Sequence, residues 1–159
     1  VANSYEQTTW PWIEGSHGMR IQLLDTLSDV DLSYSPGGKT VTLGELCLQM
    51  GNDQYSYVQS LKTFSQDWSY RNTTVHLENS VAQLKEWYIA LDAEMKSIVA
   101  DFTEADLKKS IDRSGGFVIP VTVQLDIYLQ ALLIFFGKAS VYLKSMDRTL
   151  PAGMEDWIG

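Results

Sequence analysis

A chain of 159 residues is one domain's worth of sequence, long enough to bury on the order of 70% of its unfolded surface without disulfides or a structural metal. Its 12 basic and 20 acidic residues give a net charge of −8, which argues against the clustered Lys and Arg of a nucleic-acid-binding surface. The apolar fraction of 45% is that of an ordinary globular protein, and a single cysteine, Cys47, excludes an intrachain disulfide and fits a cytoplasmic setting.

The longest apolar run, Ala131 to Phe136, is too short to span a membrane, and the N-terminus lacks the layout of a signal peptide, so no membrane partner is expected. Asn72-Thr73-Thr74 matches a glycosylation pattern but reads more simply as polar loop. A single domain over 1–159 is expected.

Pro11, Pro36, Pro120 and Pro151 punctuate four helical patterns. The first runs roughly from Pro11 to Val30, with Ile13, His17, Ile21, Leu24 and Leu27 on one face; Gly15 and Gly18 weaken its beginning. Ser33 to Lys39 is loop by composition. The second runs roughly from Leu43 to Phe64, opened by a Thr42/Glu45 capping box, with a seam of Leu46, Met50, Tyr57 and Leu61 that Asp53 and Gln54 interrupt. The third is the cleanest. Leu77, Val81, Leu84, Tyr88, Leu91, Met95, Ile98 and Phe102 alternate in steps of four and three, a single buried stripe. Its start falls near His76, or near Asn79 and Ser80, with Ser80 and Gln83 as a cap pair. Ser114-Gly115-Gly116, flanked by Ile111 and by Phe117-Val118-Ile119, reads as a short hairpin or as irregular loop. The fourth runs roughly from Val121 to Met146 and is apolar on most sides, as for the most buried helix or one that adds a second interface. Leu150 to Gly159 reads as a tail. Four helices of this length predict an all-α four-helix bundle, and the long connections before and after the third leave room for crossovers.

Chemistry-bearing motifs are sparse. Two histidines and one cysteine, with no HxxxH, CxxC or HExxH, cannot supply an ordinary transition-metal site. P-loop, GxGxxG and GxSxG patterns are missing. Cys47 borders the second seam and reads as a small buried hydrophobe. His17, on the apolar face of the first helix, reads first as a buried, hydrogen-bonded histidine and second as a polar group in a bundle pocket. His76 reads as surface. Gln49 and Asp53, one turn apart, read as a satisfied polar patch or as the floor of a small-molecule pocket. The five tryptophans and eight tyrosines are assigned to core and interface.

Four stretches, in order, carry a resemblance to a known family: Thr26-Leu27-Ser28-Asp29-Val30-Asp31-Leu32, Thr42-Leu43-Gly44-Glu45-Leu46-Cys47-Leu48-Gln49-Met50, Phe102-Thr103-Glu104-Ala105-Asp106-Leu107, and Gly137-Lys138-Ala139-Ser140-Val141-Tyr142-Leu143-Lys144 with Leu150-Pro151. Together they resemble the DinB-like (YfiT-like) superfamily over roughly Ile13 to Pro151. The resemblance implies a four-helix bundle with crossover connections, often dimeric, in which one histidine on the second helix and two on the fourth hold a divalent metal that activates a low-molecular-weight thiol. The matching positions here are Gln49, Ala131 and Phe135. An amide oxygen is a poor zinc or nickel ligand, and Ala and Phe have no donor atom. The expected protein is therefore a metal-free, cofactor-free bundle, homodimeric in the family's manner, that binds a small molecule or a partner in a pocket of Gln49, Asp53, Ala131 and Phe135 on the inward side of the second helix. The competing expectation is an enzyme using His17, Gln49 and Asp53 in that pocket.

Overall fold

The computed structural model describes residues 2–158. Its long helices are α2 (Trp10–Asp25), α3 (Leu43–Thr63), α4 (Val81–Asp101) and α5 (Val121–Ser145), preceded by a short α1 (Ser4–Thr8) and followed by α6 (Ala152–Ile158). A two-stranded hairpin, β1 (Ser110–Asp112) with β2 (Val118–Pro120), stands before α5, with Ile111 opposite Ile119. The main helix contacts are α3 with α4 and α5, and α2 with α4 and α5. The consecutive helices α2 and α3 therefore sit diagonally across an all-α bundle, and the Thr26–Thr42 connection crosses over between them.

Local chemistry sets each boundary. Thr42 and Glu45 form the expected capping box at the start of α3, and Phe64 closes that helix in the left-handed region at φ 57°. Ser80 caps α4 by accepting from the Gln83 N–H. Before it, His76 is left-handed and exposed, and Leu77–Asn79 make one 3₁₀ turn, so α4 begins at the second of the two expected starts. The first helix ends at Asp25, short of the expected Val30. Thr26 Oγ1 donates back to the Leu23 carbonyl, and Asp31 Oδ2 accepts from both the N–H and hydroxyl of Ser28, so side chains hold a turn where the helix would continue. Residues 152–158, read as tail, form α6, whose Met154 is buried while Trp157 meets Trp12 edge to face.

The core draws on all four long helices, including Ile13, Leu24, Leu46, Val58, Leu84, Met95, Leu125 and Phe136. By length and composition α5 is apolar enough to cross a membrane. In this fold it packs on α2 and α3, with Leu125, Tyr128, Leu132, Phe136 and Leu143 inside. The close approach of α3 to the turn before α4 depends on Gly44. A Cβ there would overlap the backbone carbonyl of Glu78, which cannot swing aside as a side chain can. Gly44→Ala is expected to lose about 2 kcal/mol or more in urea unfolding despite its better helix propensity; unchanged or higher stability would show that the Leu77–Asn79 turn moves freely.

Candidate functional site

The four residues singled out by sequence, Gln49, Asp53, Ala131 and Phe135, line one groove of about 210 Å³ between α3 and α5, together with Leu46, Met50, Ile134 and Lys138. An adjoining groove of about 370 Å³ shares Leu46, Gln49 and Lys138 and continues past Lys39, Thr40, Val141 and Tyr142. The two make one trough with an apolar floor. Gln49 and Asp53 do not occupy the inward level expected of them. Both are exposed and form the α3 rim, because Leu46, Met50, Gln54, Tyr57 and Leu61 take the buried face. Partial desolvation at the seam raises the Asp53 carboxyl above its ordinary value, against the pull of Arg71 and Lys138. Among the described residues neither Lys39 nor Lys138 has an ion-pair partner.

A trough with this lining does not fit a zinc or nickel ion. Its donors are one amide and one carboxylate on the α3 rim, facing Ala131 and Phe135 on α5. Among the described residues no group of three or more His, Cys, Asp and Glu side chains is placed to hold a metal.

His17 is elsewhere. It is 5% exposed and belongs to a polar network in the bundle interior that joins α2, α3, α4 and α5. Trp10, Ile13, His17, Arg20 and Leu24 of α2 turn inward in steps of three and four; Ile13, His17 and Leu24 are the expected ones, while Ile21 and Leu27 of the expected stripe are only half-buried against the core. Arg20 is wholly buried. Its Nη1 donates to Gln54 Oε1 (2.8 Å), its Nη2 to Asp92 Oδ1 (2.6 Å), and its guanidinium lies 3.8 Å over the Tyr88 ring. Gln54 Nε2 donates to the same Asp92 oxygen (2.7 Å). His17 Nδ1 lies 3.3 Å from Asp92 Oδ1 and Nε2 lies 2.7 Å from the Tyr128 hydroxyl. An ionised carboxylate only accepts, so Nδ1 carries the proton and Nε2 accepts from Tyr128. Tyr88 continues the network by donating to the Cys47 carbonyl (2.6 Å), and burial pushes the Cys47 thiol up to about 12, an inert small hydrophobe as expected.

The enzyme expectation built on His17, Gln49 and Asp53 therefore loses its geometry. The histidine faces α4 and α5 from α2, and the other two sit on the outer rim of α3. The sequence reading singles out none of Arg20, Asp92 and Tyr128, and Gln54 only as an interruption of the second seam. A signal existed in the spacing. Arg20 continues the Ile13–His17 steps, and Asp92 stands one turn after Tyr88.

Burial, then the nearby Arg20 charge, holds His17 well below its ordinary pKa, so it is neutral in the folded protein. The unfolded chain titrates near pH 6.5. Below that pH it takes up a proton that the native state refuses, so this contribution to stability falls as pH falls, by about 1 kcal/mol between pH 7 and 5.5. Asp92, raised by desolvation against Arg20 and Gln54, works in the opposite direction at lower pH. Urea unfolding of wild type and His17→Gln at both pH values checks this; a wild-type loss no larger than the variant's would contradict it.

No family model matches the sequence, and no curated protein matches it. Solved structures do match the fold. A DinB-like protein, YjoA, from Bacillus subtilis superposes with a TM-score of 0.68 at 17% identity, over 85% of this chain and 90% of that one. A DinB-like protein from Bacillus cereus ATCC 10987 superposes with a TM-score of 0.71 at 16% identity, over 92% of this chain and 97% of that one. With its crossed connection, its four long helices and these superpositions, the chain has the DinB-like fold.

Proposed function

We propose that the α3/α5 trough is the working site, and that it seats a small molecule with an apolar body and an anionic head without a metal or other cofactor and without catalysis. One observation carries the reading: an apolar floor of Leu46, Met50 and Phe135 runs toward two lysines, Lys39 and Lys138, that form no close ion pair among the described residues of a chain whose net charge is −8. Octanoate is a suitable probe. Calorimetric titration is expected to give saturable binding that weakens at least tenfold in Lys138→Glu. Absence of saturable binding, or equal binding by the variant, would overturn the reading.

The exposed edge of α5 favours self-association as a second feature of the same protein. Val123, Ile134 and Val141 are all open to solvent, and Ile134 is 60% exposed at the trough's edge. With Ile127 they follow helical steps of four, seven and seven, an apolar stripe of the kind that pairs with its own copy. A homodimer in a cytoplasmic setting is the proposed form. Light scattering at tens of micromolar, by order of magnitude, is expected to give a dimer for wild type and a monomer for Ile134→Glu; a wild-type monomer would remove the interface.

A further inference from the structure

Between α2 and α4, on a different face from the trough, lies a notch of about 280 Å³ lined by Trp10, Glu14, His17, Gly18, Ile21, Asp92, Ala93 and Lys96. Exposed ion pairs brace this seam: Glu14 with Lys96 at the notch, and Asp25 with Lys85 further along. Three features of the notch have no role in the fold.

Trp10 is 3% exposed, and its indole N–H is buried with no hydrogen-bond partner. An unmade bond of this kind is costly and rare. Asp92 is 17% exposed at its side chain, and all its contacts with Arg20, Gln54 and His17 fall on Oδ1, which leaves Oδ2 without a protein partner. Gly18 stands inside α2, where glycine weakens a helix, yet a Cβ at that position would meet nothing within 4 Å. Packing does not require the glycine. What it provides is open space above Asp92 and His17, widened from the other wall by Ala93.

We propose that the notch is a ligand site for a small neutral molecule bearing a primary carboxamide. The carbonyl oxygen accepts from the Trp10 indole N–H, and the amide NH₂ donates to Asp92 Oδ2. A carboxylate ligand would meet Asp92 with like charge. An ammonium would face the Trp10 donor and Lys96. The neutral amide offers an acceptor to the orphaned Trp10 N–H and a donor to the open Asp92 Oδ2 together. Asp92 is held for this purpose on its other oxygen by Arg20 and Gln54, and the His17 ring, edge to face with Trp10 at 6.0 Å, forms the back wall.

Three probes of one size separate the headgroups: benzamide, benzoate and benzylammonium. The readout is the Trp10 indole N–H resonance of the full chain, identified by its loss in Trp10→Phe. Benzamide is expected to shift it saturably and to show intermolecular NOEs to the Ile21 and Ala93 methyls, and the two charged probes are expected to do neither. Gly18→Leu and Ala93→Leu, which fill the notch from opposite walls, should weaken benzamide at least tenfold. Gly18→Ala serves as the folded reference and should raise Tm by about 2–4 °C through helix propensity. A Trp10 resonance that does not move with benzamide, missing NOEs in the wild type, or equal response to all three probes would each overturn the proposal. Octanoate binding at the α3/α5 trough is read separately and does not bear on this result.

Discussion

Arg20→Met is expected to lose about 3–5 kcal/mol of stability, the largest effect of any single substitution proposed for this chain. The guanidinium is wholly buried, and Met approximates its aliphatic length but not its charge. Without it, Asp92 Oδ1 keeps its Gln54 and His17 contacts but loses its countercharge in a desolvated site, and Gln54 Oε1 loses its donor. Because Asp92 retains some access to water, the lower end of that range is the better figure. The companion variant Arg20→Met/Gln54→Leu/Asp92→Leu removes the network instead of breaking it and should recover most of the loss, since well-packed apolar replacements of buried ion pairs are often neutral or stabilising. Urea unfolding of both variants measures this. A loss under about 1 kcal/mol for Arg20→Met would show that the network carries little of the fold's stability.

The second large effect is a gain of metal binding. Gln49, Ala131 and Phe135 line one groove from facing helices, and Ala131 and Phe135 stand one turn apart on α5. Gln49→His/Ala131→His/Phe135→His would put three imidazoles around one opening with water at a fourth position. Phe135 is buried, so the variant should also lose about 2–4 kcal/mol from its core. Calorimetry with nickel or zinc is expected to show one site per chain with micromolar or tighter affinity, and metal should restore part of the lost stability by mass action. A folded variant that binds neither ion would mean that the three positions do not correspond to a metal site in this fold.

The fold was legible because its signals were local. The Thr42/Glu45 capping box, the Ser80 cap and the Leu84–Tyr88–Leu91–Met95 steps each specify structure within one or two turns. The short α1 and α6 were not, since helices of that length are held by docking and carry little periodicity of their own. The inward stripe of α2 was legible at Ile13, His17 and Leu24, and Arg20 was the member it lacked, for a physical reason. Its inward stripe contains Arg20 and His17, and a buried arginine is admissible only because Asp92 and Gln54 arrive from other helices. The same cause separates Gln54 from Gln49. Both border the α3 seam in sequence, and distant partners decide that Gln54 is buried while Gln49 lies on the rim. The trough's residues could be grouped from sequence through the family resemblance, but their exposure could not, because it depends on how far apart α3 and α5 stand.

Metal content is the most direct test of the central claim that the trough works as a metal-free seat. Elemental analysis of the wild-type protein, purified without chelators from cells grown with nickel and zinc supplied, is expected to find well under one equivalent of either ion, with the triple-histidine variant prepared in parallel as the loaded reference. Close to one nickel or zinc per wild-type chain, lost when Gln49 and Asp53 are both replaced by Ala, would contradict the account and return the trough to metal chemistry.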